Sequence, residues 1–503
     1  MPEFSVVKGN RDWFGREAIL RNTIRNSLRK VFEKYGYIPL ETPAIESQEA
    51  LGFKGGGEIQ KEVFKLTDQG GRSLALRFDQ TVPLARFIAS TPGMKFPVKR
   101  YAIGPVFRDG PTQPEQGRYR QFTQCDVDVL GIEGMVAEAE LLALAQDAFE
   151  ELGLGGVDVK INNRKLLDGI LDYAGVPEHA KLRTISTLDK MDKLGLEGVR
   201  EGLETLTLFD AETGLSNETF QELLSKYDAK GIAAVADLRK RIEAEVGEAG
   251  YREIVEGAEQ AEDRTDFVTR IGNYTTSGER LLVKPVVDNL LGLVSVEGTN
   301  EETFARLANK IKTEKGQEGL REVRQLLDYS NELGFDFVRL DPSLARGLDY
   351  YTGTTLEVFL QDRDIVRSAI LAGGRFDDMV GDFRGGEDIP AVGFSFGLER
   401  LAMILDKRET RETPTTLYLI PIGTTGECLR IAHQLRKQGV NVDMEMQDRK
   451  IGKAIGYASS MGIPYVGLVG EDELGKGEVT IKNLDSSVQS SVPIGSVGKY
   501  IEA

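Results

Sequence analysis

Cysteine is scarce in this sequence. The only two cysteines, Cys125 and Cys428, lie far apart and form neither a Cys-x-x-Cys pair nor the spacing of a zinc site. No apolar run is long enough to cross a bilayer, and the N-terminus carries no basic segment followed by an apolar stretch. These absences predict a cytoplasmic protein without disulfides, structural metal or a membrane-spanning segment.

Positive charge is also in deficit. The chain of 503 residues has 63 basic and 80 acidic residues, which gives a formal net charge of −17. Because phosphate binding needs local positive charge, this balance argues against general affinity for nucleic acids, and an RNA partner would have to be held by patches. The chain also lacks a Walker P-loop and a Rossmann fingerprint, which excludes those two modes of nucleotide binding.

What is present is the composition of an ordinary globular protein, 40% hydrophobic and 28% charged, with enough length for about three domains. From 175 to 331 the chain is charged and amphipathic, as in 223–246, and Thr275–Gly278 marks a break. This stretch predicts a helical insertion between two halves of a β-rich core. Residues 414–503 follow a polar linker and alternate strands with helices, which predicts a small α/β domain.

The rest of the chain is organised around residues 99–131. Two runs of aromatic and β-branched residues flank the Gly/Pro-rich segment 109–117, which predicts two antiparallel strands joined by a long loop. Side chains on a strand alternate between faces, so one face of the second strand is charged and the other mostly apolar. The charged face carries Arg118, Arg120, Phe122, Gln124, Asp126 and Asp128. Taken alone, this alternation is typical of a half-buried sheet with a solvated face.

Two segments before this hairpin have recognisable patterns. Residues 16–35 place an apolar stripe on one helical face, and residues 37–46 contain two prolines, which predict an edge strand. Asp79 and Thr81 lie where a short strand runs into a turn and a helix. Helix capping is their plain structural interpretation, because both side chains often serve as caps.

Three motifs follow the predicted insertion. The run Arg-Gly-Leu-Asp-Tyr-Tyr-Thr occupies 346–352, and a Gly-rich segment at 372–378 predicts a turn that lets the backbone approach a ligand closely. Residues 390–401 have the pattern of a strand, a glycine and the start of a helix. A Gly-rich segment alone is weak evidence for nucleotide binding, so the order of the motifs matters more than any one of them.

In order, these segments resemble the motifs of class II aminoacyl-tRNA synthetases, and specifically of histidyl-tRNA synthetases. Residues 16–46 resemble motif 1, residues 107–126 motif 2, residues 346–352 the histidine signature and residues 390–401 motif 3. The resemblance implies an α+β fold, in which an antiparallel class II sheet core carries a helical insertion and is followed by a C-terminal α/β anticodon-binding domain. The implied domain bounds are 1–174 and 332–408 for the two parts of the catalytic core, 175–331 for the insertion and 414–503 for the anticodon-binding domain.

The same resemblance implies a histidine–tRNA ligase, which activates L-histidine with ATP and transfers it to tRNA(His). Arg108 and Arg346 are then catalytic at the α-phosphate, while Arg400 and Arg118 bind ATP together with Arg108. Arginine suits this role because its planar fork donates two hydrogen bonds to a phosphate and stays charged. The implied histidine-binding residues are Asp79, Thr81, Gln124, Asp128, Arg346, Tyr350 and Tyr351. Mg²⁺ would be held chiefly by the ATP phosphates, with no dedicated protein metal site.

The resemblance also implies a homodimer through motif 1, and Arg449, Lys450 and Lys453 are candidate contacts to RNA phosphates. Short basic clusters are more often solvated surface. One alternative function is that of the inactive paralogue that serves as a regulatory subunit of ATP phosphoribosyltransferase, although that paralogue generally lacks the C-terminal domain and a complete histidine signature. Another is an RNA-binding regulatory module, which would lack ATP turnover.

Overall fold

The structure, a computed structural model, describes residues 4–52, 62–206, 282–295, 298–345, 350–386, 388–406 and 412–502. The predicted helical pattern at 223–246 and the predicted break at Thr275–Gly278 lie outside these residues. The chain divides into two compact units. The first unit consists of Met1–Asn10 and Arg25–Leu401, and the second of Arg11–Ile24 and Ala402–Ala503.

Two sheets form the centre of the first unit. In chain order its strands are β1 (Ile38–Pro39), β2 (Ile45–Ser47), β3 (Lys65–Thr67), β4 (Ser73–Leu76), β5 (Val98–Phe107), β6 (Gln121–Leu130), β7 (Val157–Asn163), β8 (Val338–Leu340), β9 (Thr354–Leu360), β10 (Leu371–Arg375) and β11 (Ala391–Gly397). The larger sheet has eight strands in the order β1-β5-β6-β11-β10-β9-β7-β8, and the smaller has the order β2-β4-β3. All pairings are antiparallel except β1 with β5 and β7 with β8, so the predicted antiparallel core is confirmed.

Helices cover and connect these strands. The described ones are α1 (Arg16–Lys34), α2 (Gln48–Gly52), α3 (Thr81–Ala89), α4 (Val136–Glu151), α5 (Arg164–Ala174), α6 (Lys181–Leu188), α7 (Met191–Glu204), α8 (Lys284–Val294), α9 (Asn300–Lys310), α10 (Glu314–Glu332), α11 (Asp378–Arg384) and α12 (Leu398–Leu405). The apolar stripe predicted for α1 is buried at Ile24, Leu28 and Phe32. Gly36, with φ of 80°, follows the helix in a conformation that few other residues adopt.

The helical character of the insertion is confirmed by α6 to α10, while its bounds remain a prediction. Helix α10 packs closely on α5 because glycines face the contact. A Cβ on Gly319 would collide with the backbone nitrogen of Leu166, and a Cβ on Gly169 would lie 2.7 Å from the Cα of Gly316. The N-terminus of α9 is fixed by a capping box between Thr299 and Glu302.

The Gly-rich segment at 372–378 is not the turn that its composition predicts. Its first residues belong to β10, which pairs with β9 on one side and β11 on the other. A Cβ at Gly373 would collide with the carbonyl oxygen of Gly393 in β11. These glycines therefore serve close approach between strands rather than chain reversal.

The second unit confirms the predicted α/β character of the C-terminal region. Its strands are β12 (Leu417–Pro421), β13 (Val442–Met444), β14 (Tyr465–Val469), β15 (Glu478–Asn483) and β16 (Gln489–Pro493), and its further helices are α13 (Thr425–Lys437), α14 (Ile451–Ser460), α15 (Glu471–Lys476) and α16 (Val497–Glu502). The sheet order is β13-β12-β14-β15-β16, parallel over the first three strands and antiparallel over the last three. Apolar side chains from α13 pack on one face, including Cys428, which like Cys125 is buried and forms no disulfide among the described residues.

A buried ion pair ties β10 to α4 in the first unit. Nε and Nη2 of Arg375 each donate to one carboxylate oxygen of Glu138 at 2.8 Å, and both side chains are almost completely inaccessible to solvent. A third guanidinium nitrogen donates to the carbonyl of Ile132 at 3.0 Å and to Asp377 at 3.2 Å. The buried guanidinium thus has partners on several sides, which such a group needs.

Replacing Glu138 by Ala should lower the free energy of unfolding by about 3–5 kcal/mol, because the Arg375 charge would stay buried without its main partner. Urea unfolding followed by fluorescence measures the change. Glu151→Ala, at the other end of α4, is the matched control. Glu151 pairs with the exposed Lys30, so its loss should cost at most about 1 kcal/mol. Equal effects of the two variants would contradict the role given to the buried pair.

Candidate functional site

A small polar cavity of about 60 Å³ lies on one face of the larger sheet. It is lined by β6, β10 and β11 together with the start of α3 and two tyrosines that precede β9. The side chains singled out from the sequence that meet here are Asp79, Thr81, Gln124, Asp128, Tyr350 and Tyr351. They come from parts of the chain up to 272 residues apart in number, between 79 and 351. Arg346, also predicted for this site, lies outside the described residues.

A larger cavity of about 350 Å³ adjoins the small one. Arg108, Gln124, Ala372 and Ser395 line both, so the two spaces form one continuous cleft. The larger cavity also receives Arg118 and Arg400, which completes the predicted set of arginines apart from Arg346. The sheet thus places a compact polar slot beside a wider cleft with several guanidinium groups.

Strand β6 positions the centre of the small cavity. It pairs with β5 along its whole length and with β11 on its other side, so Asp126 and Asp128 lie inside the sheet. Both aspartates are at most 4% exposed. The charged face of β6 therefore forms the wall of a cavity, and not the solvated face of which the alternation alone is typical.

Glycine at position 393 makes room for Asp128. The two residues are direct partners in the β6–β11 register, and a Cβ on Gly393 would collide with the Asp128 carboxylate. A side chain here would therefore displace Asp128 or close the cavity. Gly393 is needed for the space it leaves open.

Arg100 of β5 compensates part of the buried negative charge. Its Nη2 lies 2.8 Å from Oδ2 of Asp128, and both groups are almost fully buried. Burial raises the pKa of Asp128 to about 7 and that of Asp126 to about 6, and in both cases Arg100 opposes the rise. The free-energy cost of removing water from the two carboxylates thus exceeds the stabilisation that Arg100 provides, so the empty cavity attracts positive charge.

Asp79 is consistent with both helix capping and ligand binding. Its Oδ1 accepts a hydrogen bond from the backbone N–H of Val82 at 3.1 Å, as a side chain that caps a helix does. Its Oδ2 is buried and has no hydrogen-bond partner among the residues described. Burial raises the pKa of Asp79 as well. One oxygen is thus used by the fold, while the other remains available to a donor in the cavity.

Arg108 stands where the two cavities meet. Its guanidinium carbon lies 4.1 Å from the ring centre of Phe78 and 5.1 Å from that of Phe122. Its Nε donates to the carbonyl of Phe78 at 3.4 Å. Contact with two aromatic rings restricts the guanidinium to one region while leaving its charge in the cleft.

The other two arginines are held by the edges of the larger cavity. Arg118 lies 3.4 Å from a carboxylate oxygen of Glu62, and Arg400 donates to the carbonyl of Ala369. The buried Glu399 accepts from the backbone N–H of Thr123 with both carboxylate oxygens at 3.0 Å. Glu399 thereby joins α12 to β6, the strand that carries the polar cavity wall.

Sequence reasoning missed Arg100, Gly393 and Glu399 as parts of this site. Arg100 belongs to the predicted hairpin, and its position opposite Asp128 follows only from the strand register. Asp126 was placed on the charged face but not in the amino-acid site. The alternation that placed Gln124 and Asp128 on one strand face also places Asp126 there, so that signal was present in the sequence.

Chemically, the small cavity suits a small cationic or hydrogen-bonding ligand, because its wall carries three carboxylates and two phenols. The larger one suits a polyanion, because arginines donate readily to phosphate. In the described part of the chain, no cluster of three or more histidine, cysteine or acidic side chains has the geometry of a metal site. None of the described helices is long and apolar enough to cross a membrane.

Comparison with known families agrees with this arrangement. The family model for histidyl-tRNA synthetase matches residues 9–254 and 211–401, which include every strand of the first unit. The family model for the anticodon binding domain matches residues 416–503.

Individual proteins match over the full length. Histidine–tRNA ligase 1 of Bacillus cereus is 36% identical over 506 residues, covering 100% of both chains. The crystal structure of histidyl-tRNA synthetase from Nostoc sp. PCC 7120 has a TM-score of 0.73 at 26% identity and covers 100% of this chain and 99% of its own. A Bacillus halodurans structure, titled as an ATP phosphoribosyltransferase regulatory subunit/histidyl-tRNA synthetase, has a TM-score of 0.66 at 20% identity, covers 93% of this chain and 99% of its own, and shows the shared fold.

Replacing Asp128 by Asn should change stability in a pH-dependent way. The folded-state pKa of Asp128 is raised to about 7, above the value of about 3.9 for an unfolded chain. Between these two pKa values the folded protein binds more protons than the unfolded chain. The contribution of Asp128 to the free energy of unfolding therefore falls as the pH rises. The free energy of unfolding of the variant, relative to that of the wild-type protein, should rise by up to about 1.4 kcal/mol for each pH unit between about pH 4 and about pH 7. Urea unfolding across this range tests it, and a pH-independent difference would contradict the burial of a titrating carboxyl.

Proposed function

The chain belongs to the histidyl-tRNA synthetase family and is a histidine–tRNA ligase, and we propose that the cleft of its larger sheet activates L-histidine with ATP and then transfers it to tRNA(His). The observation that carries this assignment of roles is the junction of the two cavities at Arg108. A polar slot for the amino acid and an arginine-lined cleft for ATP meet at the side chain that would face both reacting groups.

The small cavity is the proposed histidine site. Asp79, Thr81 and Gln124 receive the α-ammonium group, since carboxylate and amide oxygens accept its hydrogen bonds. Among the described residues, Oδ2 of Asp79 and Oε1 of Gln124 are buried without a hydrogen-bond partner, which supports this role. Asp128 and Tyr350 take the ring nitrogens, with the Tyr351 ring centre 4.8 Å from that of Tyr350. Analogues without ring N–H groups would leave buried polar groups unpaired and would be rejected.

The larger cavity is the proposed ATP site. In the first step, a carboxylate oxygen of histidine attacks the α-phosphorus, and the bond to pyrophosphate breaks. Arg108 and Arg346 stabilise the negative charge that develops on the α-phosphoryl oxygens, and Arg400 and Arg118 bind the remaining phosphates. The contact of Arg108 with Phe78 and Phe122 fixes its charge before the substrates meet, so little reorganisation is needed during the reaction.

Mg²⁺ fits the same cleft as a companion of ATP. The ion is usually held by one or two carboxylates together with substrate phosphates. Glu357 lines the larger cavity with Arg400 and supplies that donor type. When bound, the ion would neutralise charge on the phosphate tail.

In the second step a terminal ribose hydroxyl of tRNA(His) attacks the carbonyl carbon of the histidyl-adenylate and AMP leaves. The second unit is proposed to hold the anticodon region. Arg449 lies 4.3 Å from the ring centre of Tyr457 and donates to the buried Glu445 at 3.0 Å, so its guanidinium is held in place at the surface. Lys450 and Lys453 follow it at the start of α14 and supply further positive charge.

The proposed assembly is a homodimer formed through motif 1. Strand β1 is an edge of the larger sheet, and Ile38 within it is 61% exposed. An exposed apolar residue on an edge strand favours contact with another chain. The proposed location is the cytoplasm, where tRNA is charged in bacteria such as those that contain the relatives above.

Histidine-dependent ATP–pyrophosphate exchange tests the proposed activity. Exchange should occur with histidine and with no other amino acid. Arg108→Lys should lower the exchange rate by about 10²–10³-fold, because one stabilising donor at the developing charge is lost. Arg346→Ala should abolish exchange, whereas Arg72→Lys, at an exposed arginine paired with Asp68, should leave it unchanged. Absence of exchange with every amino acid, from folded protein with Mg²⁺ present, would refute the proposed activity.

The tRNA role of the second unit has a separate test. Arg449→Ala should raise the KM for tRNA(His) by about tenfold and flatten its salt dependence, because one phosphate contact is lost. Pyrophosphate exchange should not change, since that step needs no tRNA. Arg430→Ala is the matched control, because Arg430 is an exposed arginine of α13 that pairs with Glu427 of the same helix. If both variants leave the KM unchanged, Arg449 does not contact tRNA.

A further inference from the structure

Asp126 is a buried carboxylate of the small cavity that the proposed reaction leaves without a role. It lies between Gln124 and Asp128 on the same face of β6 and is 4% exposed. Its Oδ1 is completely buried and accepts no hydrogen bond from any described residue. A buried polar atom at the wall of a ligand cavity is costly unless the ligand pairs with it.

Of the three carboxylates of the cavity, Asp128 has an arginine within ion-pair distance, whereas Asp79 and Asp126 have none among the described residues. Asp128 is paired with Arg100 at 2.8 Å. In the proposed complex, Asp79 takes the α-ammonium group and Arg108 faces the substrate carboxylate and the phosphate. Within the described ranges, no Lys, Arg or His forms an ion pair with Asp126. With the α-ammonium group at Asp79 and with Arg108 and Arg346 assigned to the α-phosphate, the ring of the ligand is the group left to supply a cation beside Asp126.

The groups that surround Asp126 come from every neighbouring element. On β6 itself there is Asp128, Arg100 belongs to β5, and Ser395 lies on β11 directly opposite Asp126. The carboxylate of Asp79, which precedes α3, also faces the cavity and acts on Asp126. Arg77, which follows β4, acts on Asp126 from further away, and its guanidinium is occupied by the carbonyls of Pro105 and Thr42 at 2.7 and 2.8 Å. Burial raises the pKa of Asp126 to about 6. Arg100, the hydroxyl of Ser395 and Arg77 oppose this rise, whereas the nearby Asp79 adds to it.

We propose that Asp126 is a further recognition residue of the amino-acid site, and that its carboxylate makes this site bind histidine with the ring protonated. This inference rests on the proposed function of the small cavity. In the imidazolium form both ring nitrogens are donors. Asp128 and the phenol oxygen of Tyr350 accept from these donors, and Asp126 supplies the charge that balances the ring cation.

Binding of histidine must then be coupled to the uptake of a proton. Free imidazole has a pKa of about 6.5, so the ring of dissolved histidine is mostly neutral at about pH 8. Burial raises the pKa of Asp126 to about 6 and that of Asp128 to about 7, so these two carboxyls hold little proton at that pH. Burial also raises the pKa of Asp79, whose carboxyl faces the α-ammonium end of the site, and the Asp79→Asn variant removes any proton exchanged there. The complex must take its ring proton from solvent, and the KM for histidine should rise with pH above neutrality.

Isothermal titration calorimetry of the full chain with L-histidine at about pH 8, in buffers of different ionisation enthalpy, measures this proton directly. The wild-type protein should take up close to one proton per histidine bound. Asp126→Asn keeps the size of the side chain but removes the charge. It should take up about one proton fewer, and its KM for histidine near neutral pH should be raised by about tenfold or more, with the KM for ATP unchanged.

Asp79→Asn is the matched control, because Asp79 is an equally buried carboxylate of the same cavity. That variant should weaken histidine binding and still take up the proton. Binding by the wild-type protein without proton uptake would overturn the inference, even if Asp126→Asn fails to fold. So would equal uptake by wild type and Asp126→Asn. If the wild type supports no histidine-dependent exchange at all, the proposed function fails instead, and the two failures are distinguishable.

Discussion

The site depends on the burial of the charged face of β6 between β5 and β11. A strand that carried Asp126 and Asp128 toward water would be an ordinary half-solvated strand. Here the two flanking strands and the aromatic side chains around Tyr350 remove water from both carboxylates. Arg100 is set opposite Asp128 by the same pairing, so the register that buries the charge also provides its partner.

This burial has an energetic consequence for the fold. Carboxylates with raised pKa values lower the free energy of unfolding near neutral pH. Interactions elsewhere in the first unit must therefore offset this destabilisation. Apolar side chains around α3, α11 and the two tyrosines pack directly against the cavity, and the Arg375–Glu138 pair ties β10 to α4. A rigid surround also keeps Arg108 in one place between its aromatic contacts, which suits a group that must meet charge as it develops.

Sequence patterns predicted the hairpin, helix α1, the helical nature of the insertion and the α/β character of the C-terminal region, because each depends on local periodicity. Periodicity also grouped Gln124, Asp126 and Asp128 on one face. It did not tell which face was buried, because that depends on strands more than 200 residues away in number, such as β11 (Ala391–Gly397) beside β6 (Gln121–Leu130). The Gly-rich segment around Gly373 was misjudged for the same reason, since glycine serves turns and close strand contacts alike.

Glycine in the middle of a sheet is normally unfavourable, since it costs backbone entropy and packs no side chain. Gly373 and Gly393 are nevertheless adjacent in the sheet, where any larger residue would press on the neighbouring strand or on Asp128. The sheet thus gives up local stability to create space beside a buried carboxylate. In the proposed complex a ligand that fills this space without donating hydrogen bonds would leave Asp128 and Asp126 unpaired in a dry site. The free-energy penalty of these unpaired groups exceeds the stabilisation from the apolar contacts of a small ring. The site is therefore selective because a wrong ligand leaves its buried carboxylates without hydrogen bonds.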